Sequence, residues 1–197
     1  MTQARSTQVD LSATPYYHCI ARCVRRAFLC GQDDFSGRNY EHRREWVVER
    51  LKALSETFAI QILSFAVLSN HYHVVVHIDE TQAKAWRDRE VIERWAKLFP
   101  GNLAADYTAD IPMKMHEKHW VMEQVPTWRQ RLHDLSWYMR SLNEWLARRA
   151  NEEDKCSGRL SSRPREFHPQ PLPKPYVTLS CHTAPTISLS VNQTIAN

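Results

Sequence analysis

His71 and His73 stand two residues apart in the run Leu68-Ser69-Asn70-His71-Tyr72-His73-Val74-Val75-Val76-His77-Ile78. In an extended chain alternate side chains share a face, so two imidazoles at i and i+2 point the same way. A neutral imidazole offers a lone pair, and two so placed can hold one cation between them. Such a cation polarises a phosphate oxygen and orients a leaving group. The bland reading stands beside this one, because a chain with ten histidines produces the spacing readily by chance. His77 falls on the same face and reads either as an outer partner of the pair or as a bystander. His116 and His119 form a weaker pair in a stretch that reads as loop, and His133 reads as ordinary surface.

The positioning elements follow from periodicity. Tyr72, Val74, Val76 and Ile78 alternate with the histidines and form an apolar face suited to packing on helices. Ile60 to Leu68 reads as a strand close enough to pair with Tyr72 to Ile78 as a hairpin, connected at Ser69-Asn70. Tyr16 to Val24 reads as a first strand, and Asn39 as the cap of a helix from Tyr40 to Phe58. A second helix is predicted from Gln82 to Phe99, then loop to Pro126 with a short strand at Trp120 to Gln124. A long helix is predicted from Thr127 to about Asn151, striped with Trp128, Leu132, Leu135, Met139, Leu142 and Leu146. The order predicts a layered α+β fold with helices on one face of an antiparallel sheet.

These residues also carry a resemblance. His71-Tyr72-His73 resembles the histidine, bulky hydrophobe, histidine signature of the HUH endonucleases, and the wider run Phe65 to Val76 resembles transposases of the insertion-sequence-200 type, including the REP-associated tyrosine transposases. Tyr17 to Val24 is similar to their first strand, and Leu135 to Arg140, Asn143-Glu144 and Arg148 to Arg159 to a helix and its continuation in one branch. The resemblance covers about residues 15 to 160. It implies a ferredoxin-like or RRM-like sheet with the paired histidines on a central strand. It also implies a DNA transposase that cuts single-stranded DNA beside hairpins, with Mg2+ or Mn2+ held by His71 and His73. A tyrosine would attack the phosphodiester, giving a 5′-phosphotyrosine and a free 3′-hydroxyl. A phenol is a poor nucleophile near neutral pH, so its target phosphate must be polarised. Family members often work as dimers, so a homodimer is an expectation from the resemblance alone.

The nucleophile is where the chain departs from the pattern. In the REP-associated branch it lies on a later helix, preceded by a Gly-Arg, aromatic and basic segment and followed one turn on by Asn or Gln. Gly158-Arg159-Leu160 begins that segment, and Ser161-Ser162-Arg163-Pro164 leaves it. Tyr176 follows Pro173 and Pro175 and has Ser180 four residues on, which does not read as that helix. Tyr138 is the remaining candidate, with Leu142 one turn on, and it also borders the apolar stripe, where an aromatic serves as core. These features suggest a gene cut or shifted in frame near residue 160, leaving a hairpin-DNA-binding remnant as the alternative to an active enzyme. For DNA contact the candidates are Arg22, Arg25, Arg26 and Tyr17, with Arg38, Arg43 and Arg44 nearby and Tyr16 and Phe28 available for stacking. Arg129, Arg131, Arg140, Arg148 and Arg149 form a similar set that acids such as Asp134, Glu144 and Glu152 could equally pair.

Composition sets the frame. Of 197 residues 43% are hydrophobic, enough for a core, and the net charge of +4 suits a phosphate backbone without demanding one. Residues after 160 hold six of the ten prolines, no Trp and a single acid, Glu166, which predicts a disordered tail over 161–197 behind a body of 15–160 and a flexible 1–14. No apolar run is long enough to span a membrane. Cys19, Cys23, Cys30, Cys156 and Cys181 form no C-x-x-C pair, which points to a reduced, cytoplasmic chain.

Overall fold

The computed structural model describes residues 9–22, 29–33 and 37–155, together with the backbone of 170–171. The sheet is built on β1 (Tyr16–Arg22), β2 (Ile60–Val67) and β3 (His71–Ile78), with β3 in the middle and antiparallel to both neighbours. A two-residue β4 (Gln170–Pro171) pairs antiparallel with the other edge of β1, giving the order β2-β3-β1-β4. Apart from these two residues, the predicted tail lies outside the described residues. The pattern predicts a layered α+β fold, and the strands alternate with helices in the ferredoxin-like manner that the resemblance implies.

Two helices cover one face of the sheet. Val47, Leu51 and Leu54 of α1 (Arg43–Ser55) and Leu135, Met139, Leu142 and Leu146 of α6 (Leu135–Glu153) share one core. They meet Tyr17, Cys19 and Ala21 of β1 and Tyr72, Val74, Val76 and Ile78 of β3. The alternation of β3 therefore does what the pattern requires, and each such buried aliphatic contributes about 1.5–3 kcal/mol.

Between β3 and α6 lies a helical annex that departs from the sequence pattern. The single helix expected over Gln82 to Phe99 is two, α2 (Glu80–Ala85) and α3 (Asp88–Leu98). Trp86 is extended at the break, its ring lies under Arg94 with the guanidinium 4.0 Å from the centroid, and its carbonyl accepts from Arg129. The loop and strand expected up to Pro126 are α4 (Leu103–Thr108) and the first part of α5 (Met115–Arg131), which carries Pro126 inside it. α5 persists because Val121, Val125 and Trp128 bury its inner side, and Trp128 stacks on Trp95 of α3 at 5.4 Å between ring centroids. The long helix expected from Thr127 breaks at 132–134, where the Asp134 carboxylate accepts from the Trp137 amide and starts α6. These packing and capping partners are distant or local in ways that hydrophobic spacing does not encode.

Arg43 closes the body. Its side chain is 1% exposed, lies over the Tyr40 ring and reaches Glu153 and Asp154 at 2.5 and 2.6 Å. It therefore pins the start of α1 to the end of α6. Truncating it would leave two carboxylates without their cation and a gap where the apolar stem packs. Both carboxylates retain some solvent, which moderates the cost. Arg43→Ala is expected to lower unfolding free energy by about 2–4 kcal/mol, as a shift of the urea midpoint at unchanged slope; an unmoved midpoint would show that the pin is unnecessary.

Candidate metal and nucleic-acid face

The register of β1 on β3 sets the composition of the face turned away from α1 and α6. Arg22 lies opposite His71, Ile20 opposite His73, His18 opposite Val75 and Tyr16 opposite His77. Directly paired residues point the same way, so four histidines, Tyr16 and Arg22 share this outer face. On the other flank Gln61, Ser64 and Ala66 of β2 lie opposite His77, Val75 and His73, past a bulge between Ile62 and Ser64. Arg22, Gln61 and Ala66 are exposed, while the imidazoles and Tyr16 are half-buried.

The hairpin that carries the histidines is held at three points. The hairpin turn is clasped from outside: the Leu29 and Cys30 amides donate to the Ser69 carbonyl at 2.6 and 3.2 Å, and the Cys30 thiol donates to the Leu68 carbonyl. Arg44 donates to the Val67 carbonyl and pairs with Glu41, so its charge is engaged structurally. Beneath the sheet the Tyr72 hydroxyl donates to the Asn143 amide oxygen of α6 at 2.8 Å. The residue between the two histidines thus anchors their strand to the long helix.

Hydrogen bonds orient the pair itself. His71 Nδ1 lies 2.5 Å from the Asn70 amide oxygen. That oxygen only accepts, so the His71 proton sits on Nδ1 and its Nε2 lone pair is left for a ligand. The His71 and His73 rings stand 5.0 Å apart, edge to face. His73 in turn meets His18, ring to ring at 5.0 Å and nitrogen to nitrogen at 2.9 Å. Burial first, and then the Arg22 charge, holds His71 below the usual imidazole pKa. For His73 burial leads, followed by His18, His71 and Arg22. Both shifts favour the neutral ring, the form that binds cations.

Do these donors fit a divalent metal? Among the described residues no group of three or more His, Cys, Asp or Glu side chains converges as a metal site. What the chain offers is two neutral imidazoles on a half-exposed face. Mg2+ and Mn2+ prefer oxygen ligands. The pair therefore suits a cation whose remaining positions come from water or phosphate oxygens, and it suits Mn2+ better than Mg2+.

Several residues expected at the site lie elsewhere. Tyr17 is fully buried on the helix side and its hydroxyl accepts from the Asp10 amide, so it is core and cannot stack on a base. Tyr138 is also fully buried, edge to face with Phe58, and lies across the sheet from the histidines. Burial drives its phenol pKa well above the ordinary tyrosine range, and its hydroxyl has no hydrogen-bond partner. Such a phenol cannot reach a phosphate on the outer face. Arg25, Arg26, Phe28 and Tyr176 lie outside the described residues, leaving Arg22 of the first basic group on this face.

The arginines of the last two helices, and His119 and His133, find structural partners. Arg129 holds Asp88 and two annex carbonyls, Arg140 and Arg148 pair with Glu144, and Arg149 pairs with Glu49. Arg131 lies over the Trp137 ring. His119 sits in α5 beside Glu123, and His133 reaches the Arg129 carbonyl at 3.0 Å. His77 lies against Tyr16, the rings tilted by 38° with centroids 4.8 Å apart, away from the pair. Sequence reasoning missed His18, whose only signal was its place in a strand whose register was unknown. Compared with protein-family models, curated proteins and solved structures, the chain matches none of them.

Two outcomes are expected. In metal-free protein, nitrogen-detected NMR should show His71 and His73 titrating below the usual 6.5, and Arg22→Ala should raise both midpoints by removing a repelling charge; midpoints at or above 6.5 would contradict the site as described. Tyr138→Phe deletes a buried, unpartnered hydroxyl, so stability should hold or rise by about 1 kcal/mol, and thermal unfolding that instead falls by several degrees would reveal a partner for that hydroxyl.

Proposed function

We propose that this chain is a DNA-binding protein of the HUH single-tyrosine transposase type, in the manner of the insertion-sequence-200-like and REP-associated transposases. It takes single-stranded or hairpin DNA on the outer face of its sheet. The observation that carries the reading is the imidazole pair on the central strand, with Arg22 opposite His71 and the helices on the other side. Arg22 supplies a charge to the DNA backbone, and Tyr16 and His77 present a ring step at the far end of the strand.

His71 and His73 would hold Mg2+ or Mn2+ through ring nitrogens whose orientation Asn70 and His18 already set. A bound cation supplies polarisation of a phosphate oxygen and charge neutralisation at a leaving group. Two protein ligands are too few to bind it tightly alone, so cation and DNA phosphate are expected to bind together. Binding, on this reading, is the activity these residues carry. Strand cutting requires a tyrosine other than Tyr138, and the candidate that shares the histidine face is Tyr16.

The test mixes the full chain with labelled single-stranded oligonucleotides carrying the hairpins that flank its own gene. A shifted complex strengthened by Mn2+ and weakened about tenfold or more in His71→Ala, His73→Ala and Arg22→Ala supports the reading. Equal binding by these variants, or none by the parent chain, overturns it. A covalent band on a denaturing gel, lost in Tyr16→Phe and kept in Tyr138→Phe, would make the chain a transposase in action as well as in form.

A further inference from the structure

The contact between His18 and His73 has a directional consequence. His18 Nε2 and His73 Nδ1 are 2.9 Å apart, a hydrogen bond in which one nitrogen donates and the other accepts. A neutral imidazole carries one proton and one lone pair. If His18 donates, His73 accepts on Nδ1 and bears its proton on Nε2, which blocks that nitrogen as a ligand. If His73 donates, its Nε2 lone pair is free, and His18 Nε2 is the acceptor. The neighbour already shows this polarity, since the Asn70 oxygen forces the His71 proton onto Nδ1.

We propose that His18 is a positioning residue for the cation site: it accepts a hydrogen bond from the His73 Nδ1 proton, fixing the tautomer that leaves the Nε2 lone pair free for the cation. The assignment rests on the metal reading of His71 and His73, and goes beyond it by naming a residue on a different strand. The geometry is built rather than incidental. His18 lies one pair from Ile20, which faces His73 across β1 and β3, so the bond runs diagonally between strands on one face. The two rings are within 19° of parallel, which brings the nitrogens edge to edge while the rings stay in contact. An acceptor behind a ligating histidine both orients the ring and raises its basicity as a ligand.

The experiment separates the two claims. Ring-nitrogen NMR of the metal-free full chain, at a pH where both imidazoles are neutral, is expected to place the His73 proton on Nδ1. His18→Gln retains an acceptor and should keep that tautomer, whereas His18→Phe retains a ring but no acceptor and should move the proton to Nε2. Mn2+ is then titrated in while the broadening of the His71 ring signals is followed. His18→Phe is expected to need about 10–100-fold more Mn2+ than the parent, and His18→Gln close to the parent amount. A parent His73 protonated on Nε2, or a His18→Phe variant with unchanged tautomer or Mn2+ response, would overturn the proposal. A parent chain that Mn2+ leaves unbroadened would instead overturn the metal reading, with the nitrogen shifts still deciding what His18 does. Backbone amide spectra of each variant confirm that the sheet is intact.

Discussion

The two-residue period of β3 is the constraint from which the rest of the molecule follows. As the central strand it must bury one face completely, and Tyr72, Val74, Val76 and Ile78 do so at 3% exposure or less. The other residues are then committed to the opposite side, where His71, His73 and His77 stand. A slip of one residue would drive three imidazoles into the core and expose four large apolar groups, so the register is strongly specified. The clasp on the hairpin turn and the Tyr72–Asn143 hydrogen bond fix the same strand from its end and from below. Core packing and site geometry are in this sense one property of one strand.

Much of this was legible in the sequence because alternation and helical spacing are local signals. β1, β2 and β3 lie where the pattern predicts, and the stripe of α6 through Met139, Leu142 and Leu146 is buried as expected. The failures have a common cause. The break at Trp86 depends on Arg94 and Arg129, and the persistence of α5 through Pro126 depends on Trp128 meeting Trp95. Such partners are distant in sequence and override local propensity. His18 was hidden for the same reason, since only the pairing of β1 with β3 brings it to His73.

Charge followed a similar rule. Arginines on the long helix looked available for a phosphate backbone, but most are engaged by carboxylates, carbonyls and tryptophan faces. An arginine count therefore overstates the field a DNA strand would meet. What matters is where the cation sits relative to the rings, and Arg22 combines exposure with a place directly opposite His71. Its charge also disfavours protonation of both imidazoles.

The position of Tyr138 follows from the same division of faces. A nucleophile attacks from about 3–3.5 Å, and a phosphate held at the histidines lies outside the sheet. Tyr138 lies inside, among Phe58, Leu135, Leu142 and the inner residues of β1 and β3. To reach the outer face it would have to cross a sheet whose central strand holds the core together. Its burial further stabilises the neutral phenol over the phenolate that attack requires. Placement on a helix after the histidines made it a candidate by sequence, but a helix has sides, and Tyr138 occupies the one that packs. Any tyrosine that serves chemistry at His71 and His73 must approach from the solvent side of the sheet, where Tyr16 already stands beside His77.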